Sequence, residues 1–85
     1  MRMIQKLKMF EQTVVYMRWA GDGEFGKILY VGDDFVEFLV LNPDTMEYGD
    51  KILINSQLIL EVVLSGYEIA RLIAEISAKV MDLDN

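Results

Sequence analysis

Residues 26–41, GKILYVGDDFVEFLVL, place the tightest limit on what this chain can become. Two apolar runs, 28–31 and 35–41, are split by Gly32-Asp33-Asp34. Each run is of strand length and too short for a helix, and β-branched and aromatic residues dominate. The stretch therefore reads as a strand, a sharp bend and a second strand, the central pair of a small, strongly bent antiparallel sheet. Side chains alternate across a strand, so Val36, Phe38 and Val40 share one face and are expected to fill the interior. Asp33, Phe35 and Glu37 share the other face.

The flanking residues supply further strands. Residues 12–19 (QTVVYMRW) form the first strand, and Ala20-Gly21-Asp22-Gly23-Glu24 closes a hairpin, since glycine beside Asp readily takes positive φ. Residues 25–31 are the second strand and 34–41 the third, with Gly32 as a bend or bulge. Asn42-Pro43-Asp44-Thr45 is a turn in which Pro43 fixes φ and Asp44 can bond nearby backbone. Residues 51–55 form the fourth strand, an Asn55-Ser56-Gln57 link follows, and 58–64 form the fifth. Ser65 can cap a helix over 65–81, with Glu68 completing a capping box. Ile69, Leu72, Ile73, Ile76 and Val80 make one apolar stripe on it, and Arg71, Glu75, Lys79 and Asp82 lie off that stripe. The stripe is expected to cover an open end of the barrel or to pack between subunits. Ile4 and Leu7 have helical spacing while Met3, Leu7 and Met9 share a strand parity, so residues 1–10 are open between helix and strand extension. The fold class is mainly β: a five-stranded, strongly bent antiparallel SH3-like barrel with one C-terminal helix. It is a single domain, comprising an N-terminal extension (1–11), the barrel (12–64), the helix (65–81) and an acidic tail (82–85).

The fourth and fifth strands depart from alternation. Ile52, Leu53 and Ile54, then Leu58, Ile59, Leu60, Val62 and Val63, are apolar at odd and even positions alike. A strand that is apolar on both faces is covered on both, and an 85-residue chain has little interior to offer. Counted with Gly and without Tyr, apolar residues are about 55% of the chain, against ~45–50% in ordinary domains. A neighbouring subunit or the final helix must cover the second face, and the excess apolar surface points to a stable oligomer with Ile52, Ile54, Leu58, Leu60 and Val62 at the interface.

Charge and composition remove several functions. Eight basic and fourteen acidic residues give a net charge of −6, which disfavours non-specific binding to phosphate backbones. Cysteine and histidine are absent, which removes thiolate metal sites and the common nucleophile–base pairs; no enzyme and no cofactor are expected. The Gly-rich turn from Gly21 to Gly26 carries acids and lacks a Gly-Lys-Ser/Thr ending, so it is not a phosphate loop. The N-terminus lacks the apolar core and cleavage site of a secretory signal. No apolar run approaches the length of a membrane helix, so no membrane partner and a cytoplasmic location are expected.

The central stretch resembles the first signature of the Sm-like (LSm and Hfq) proteins. Gly26, Ile28, then Asp33-Asp34-Phe35-Val36-Glu37 followed by Phe38 and Val40 stand where that family has glycine, an apolar residue, Asp-x-aromatic-Met-Asn and further apolar residues. The glycine-to-aspartate spacing is one residue longer, which Gly32 could absorb as a bulge. Ile54-Asn55-Ser56-Gln57-Leu58-Ile59 keeps the hydrophobic frame of the second signature without its Arg-Gly. The resemblance covers residues 12–64 and implies a cyclic homo-oligomer, a ring in which the fourth strand of one copy pairs with the fifth of the next. It also implies a single-stranded RNA site at Phe35, Glu37, Asn55 and Ser56, with Phe35 keeping the stacking surface. Glu37 stands where the uracil-reading Asn belongs. A carboxylate cannot donate to a uracil carbonyl, and Asn55 and Ser56 replace the cationic link. The helix usually precedes the barrel in that family, whereas the clear helix here follows it.

Two further clusters invite tests. Asp22, Glu24, Asp33 and Asp34 could gather around a hard cation, but as turn residues they are expected first of all to be solvated. Around a ring, Asp33, Asp34 or Glu37 could form an acidic annulus for cations or basic peptides. Lys6, Lys8, Arg18 and Lys27 could form one basic patch. The sequence thus leads to an RNA-associated ring with a degenerate uridine site, or to an oligomeric scaffold that binds other proteins.

Overall fold

The computed structural model describes the backbone of residues 3–83 and the side chains of residues 3–79. The expected stripe member Val80 and the off-stripe Asp82 lie outside the described side chains, and residues 1–2 and 84–85 lie outside the described residues. A short helix α1 (Met3–Leu7) and a 3-10 turn (Lys8–Phe10) precede the strands β1 (Val14–Trp19), β2 (Asp22–Val31), β3 (Phe35–Asn42) and β4 (Glu47–Asn55). A second 3-10 turn (Ser56–Leu58), β5 (Ile59–Val63) and a 17-residue helix α2 (Tyr67–Leu83) complete the chain.

The five strands form one antiparallel sheet in the order β4-β3-β2-β1-β5. The mainly β class with a C-terminal helix is as the sequence indicates. The barrel is not sealed by hydrogen bonds, because β4 and β5 are the sheet's two ends and neither pairs with the other. Three register shifts bend the sheet: after Ile28 in β2, after Arg18 opposite β5, and after Leu39 opposite β4. In the first, Ile28 faces Phe38 but Tyr30 faces Glu37, which makes Leu29 the extra residue. The bulge thus sits three residues before Gly32, where the sequence placed it. Gly32 instead makes the tight turn, its N–H donating to the Phe35 carbonyl at 2.8 Å.

The interior face carries Val15, Met17, Ile28, Val31, Val36, Phe38, Ile54 and Ile59, all buried, with Val40 half-buried against them. Trp19 meets Phe38 edge-on, ring centroids 6.1 Å apart. Burying side chains of this size is worth about 1.5–3 kcal/mol each. Leu7, 2% exposed, closes the cluster from α1, with Ile4 and Phe10 beside it. The N-terminal segment is therefore helical, and it supplies the cover for the interior.

Its position is set where β2 runs past the start of β1 at Val14↔Lys27. Backbone groups of β2 beyond Lys27 then need other partners. Gln12 N–H donates to the Ile28 carbonyl at 2.6 Å, Gln12 Nε2 to the Leu29 carbonyl at 2.8 Å, and the Glu11 carboxylate accepts the Val31 N–H at 2.7 Å. Gln12 takes a left-handed φ of 69° to do so.

Several boundaries differ from the sequence reading for local reasons. The first hairpin has a two-residue loop, Ala20-Gly21, because Trp19 already pairs with Asp22; Gly21 at φ 89° permits it. In the β3–β4 turn the side chain that bonds backbone is Asn42, whose Oδ1 accepts the Asp44 and Thr45 amides, in place of Asp44. β4 begins at Glu47, four residues earlier than read. The helix is not capped by Ser65: the Gly66 carbonyl accepts the first helical bond, from Ala70 N–H at 2.9 Å, so Gly66 holds the cap position. Glu68 turns to Arg71 at 2.9 Å rather than back toward a capping box.

α2 does not cover the open end of the interior. Its first turn stands beside Tyr16, Phe25 and Val63, a cross-strand row given by the pairs Tyr16↔Phe25 and Tyr16↔Val63. Val15 and Met17 on either side of Tyr16 point inward, so this row is on the outer face. Ile69 and Leu72 are buried and Ile76 is half-buried, whereas Ile73 is 45% exposed. The apolar stripe is thus fully covered only toward its start, in a molecule 42 Å long and only 24 by 22 Å across.

Candidate functional site

The residues singled out by the sequence converge on the outer face at the β2–β3–β4 end. Phe35 pairs with Asn55, Glu37 with Leu53, and Tyr30 with Glu37. Strand parity puts all five side chains on the face opposite Val36, Phe38 and Ile54. Ser56 follows directly, its N–H donating to the Asp34 carbonyl at 2.9 Å, which ties the end of β4 to the β2–β3 turn. Phe35, Glu37, Asn55 and Ser56 are therefore neighbours in space.

The Phe35 ring lies over Gly32: a Cβ there would fall 2.7 Å from the ring, closer than any side chain tolerates. Tyr30 stands alongside, ring centroids 5.8 Å apart and planes tilted by 43°. Phe35 is half-buried and Tyr30 is 49% exposed, so the pair offers an aromatic surface of which Tyr30 is the accessible half. From the sequence Tyr30 reads, like Tyr16 and Trp19, as a barrel or interface residue and not as part of a binding platform. Plain alternation from Ile28 points it inward, and only the Leu29 bulge reverses it. The sequence carries no signal for this, because residues 28–31 are all apolar or aromatic and either parity fits.

The polar groups around this pair are partly committed. Asn55 Oδ1 accepts the Gln57 N–H at 2.9 Å, which leaves its amide nitrogen as a donor. The Glu37 carboxylate is 3.7 Å from Lys51 Nζ, and Asp33 is 3.9 Å from Lys8 Nζ. Such exposed pairs contribute little to stability, but they offset carboxylates that would otherwise repel phosphate. The surface can stack on a planar group and donate a hydrogen bond beside it.

The acidic residues do not gather as a cation site, and two members of the basic patch are paired with acids. Among the described residues no three acidic side chains come together to hold a metal ion. Of the expected basic patch, Arg18 pairs with Glu61 at 3.8 Å and Lys8 with Asp33, which leaves Lys6 and Lys27. No helix among the described residues is long and apolar enough to cross a membrane.

The second candidate surface is the pair of sheet edges. On β4, Ile54 is buried and Ile52 packs against the core, while Leu53 is 67% exposed. On β5, Val62 packs inward, while Leu60 is 57% exposed, Leu58 just before the strand 48% and Val63 36%. Of the five interface candidates, Ile52, Ile54 and Val62 thus face the chain's own interior. Leu58 and Leu60 face out, joined by Leu53 and Val63. Partial burial raises the Tyr48 phenol above its usual value. On α2, the Arg71 guanidinium is held between Glu68 and Glu75 at 2.9 Å each, which stabilises its charged form.

No protein-family model, no curated protein and no solved structure matches this chain.

Proposed function

We propose that this chain is a non-enzymatic, self-assembling binding protein of the Sm-like kind, working in the cytoplasm, whose copies join the β4 edge of one to the β5 edge of the next in a closed ring. One observation carries this reading. The two ends of the sheet are both unpaired, and each presents leucine to solvent: Leu53 on one, Leu58 and Leu60 on the other. Unpaired edges of this kind are sites of strand addition unless charge or a cover blocks them. Two different edges that complement each other make a head-to-tail contact, which closes into a ring when the rotation allows. The short helix ahead of the strands, left open between helix and strand in the sequence, adds support, because the resemblance calls for a helix there. The test is light scattering on wild type and on Leu60→Lys, which puts a charge on the β5 edge. Wild type runs as an oligomer and the variant as a single copy; a variant that assembles like wild type overturns the edge-pairing reading.

A second feature favours RNA as the ligand: the Tyr30–Phe35 surface with the Asn55 donor beside it. Stacking on such a surface supplies about 1–3 kcal/mol per base. Glu37 stands where a base-reading amide is needed, so recognition is by stacking and is indifferent to uracil. Short oligo-U and oligo-A therefore bind with similar micromolar affinity at low salt, and more weakly as salt rises. Tyr30→Ala, at an exposed position, lowers that affinity roughly 5- to 100-fold. Absence of binding at low salt removes RNA and leaves a scaffold for basic peptides on the acidic surface.

A further inference from the structure

An open crevice of about 400 Å³ lies between the first turn of α2 and the outer face of the sheet. Tyr16, Phe25, Val63, Tyr67 and Ile69 give it an apolar lining. Tyr16 and Phe25 form its floor, edge to face at 5.0 Å, and Tyr67 at the lip is 81% exposed. Its one ionised lining group, Glu68, is already paired with Arg71. The site is therefore suited to an uncharged, apolar side chain.

Its place in the sheet identifies that side chain. Val63 belongs to β5, one of the two edges, and ends the outer-face row Phe25–Tyr16–Val63. A strand added to this edge continues the row, so its outward residues fall beside Val63 and into the crevice. The opposite edge of the same molecule carries the matching part. Of the outward residues at the end of β4, Lys51, Leu53 and Asn55, only Leu53 is apolar, and it is 67% exposed. A projecting apolar residue and a pocket for it on different surfaces of one molecule define a head-to-tail contact, not a two-fold one.

We propose that the crevice under α2 is the socket for Leu53 of the neighbouring copy, so that α2 acts as one wall of the subunit junction. This rests on the edge-to-edge assembly proposed above, and the experiment separates the two. The chain has no cysteine, so introduced thiols report on their own contacts. Under mild oxidation, a chain carrying both Leu53→Cys and Tyr67→Cys forms a ladder of covalent multimers. Each single variant stops at the dimer, and Leu53→Cys combined with Thr45→Cys gives no ladder. Leu53→Ala weakens self-association about tenfold or more, as expected for an unburied leucine. If wild type assembles but the double-cysteine chain gives no ladder and Leu53→Ala assembles normally, the socket is wrong and edge pairing survives. If wild type does not assemble, both fall together.

Discussion

The central strands β2 and β3 and the edge strands β4 and β5 are drawn from the same residues and end in different states. Ile28, Val31, Val36 and Phe38 in the centre are at most 2% exposed. On the edges Ile54 and Ile59 are also buried, at 4% and 7%, yet Leu53, Leu60 and Val63 are left 36–67% exposed. Hydrophobicity does not separate the two regions; neighbours do. A central strand has a hydrogen-bonded partner on each side, and the first turn of α2 stands over part of the outer face at Tyr16 and Phe25. An edge strand has one partner, so its outer apolar residues are less covered: Leu53 stays 67% exposed, and Val63 stays 36% exposed even beside the first turn of α2. The lesson is that exposed leucines gather at the two ends of the sheet, Leu53 on β4 and Leu58 and Leu60 at β5, while Met9, Tyr67 and Ile73 are exposed on the flanking segments.

The comparison breaks most visibly at Phe38, which joins the buried cluster to Trp19. Phe38→Ala leaves a cavity and costs about 3–5 kcal/mol, a large share of the ~5–15 kcal/mol that small domains have in total. Urea denaturation reads it, and a loss below about 1 kcal/mol means that the core is not organised around this ring.

Two glycines sharpen the same contrast at smaller cost. A Cβ on Gly26, in β2, would lie 2.6 Å from the Leu39 carbonyl oxygen and 2.5 Å from Phe38. The carbonyl belongs to the ladder and cannot move aside, so Gly26→Ala costs about 1–3 kcal/mol. A Cβ on Gly49, in the edge strand β4, meets only the Val40 carbonyl, at 4.0 Å. Gly49→Ala changes stability by less than about 0.5 kcal/mol. Equal losses at the two sites contradict the account of a crowded centre and an open edge.

The smallest effect on the single copy is expected at Leu60. It is the extra residue where β5 slips against β1, since Arg18 pairs with Glu61 and Trp19 with Ile59. At concentrations too low for assembly, Leu60→Ser shifts the denaturation midpoint by an amount equivalent to less than about 0.5 kcal/mol. A large loss there means that Leu60 supports its own chain's core.

Much of this was legible in the sequence because it depends on period and turn chemistry. Val36 and Phe38 inward with Phe35 and Glu37 outward follows from alternation, and Phe35 meets Asn55 because the strands around Gly32 and the 43–46 turn are consecutive. What stayed hidden depends on register. The Leu29 bulge turned Tyr30 outward, and no propensity marks where a bulge falls. Residues 3–10 were ambiguous because their helix is held by contacts far along the chain: Leu7 in the core, and Gln12 and Glu11 on the groups of β2 beyond Lys27. Ser65 looked like the cap, but Gly66 at φ 144° turns the chain one residue later, so Ser65 lies outside the helix. The inward side of β4 was equally unreadable, since Ile52, Leu53 and Ile54 satisfy either parity. Only pairing with β3 selects Leu53 as the exposed one.

Native mass spectrometry at micromolar protein tests the central claim most directly. The account predicts one closed species of more than two copies, with no monomer in excess, that Leu60→Lys converts to single folded chains. A wild-type monomer that stays folded, or a dimer that grows no further, would contradict it.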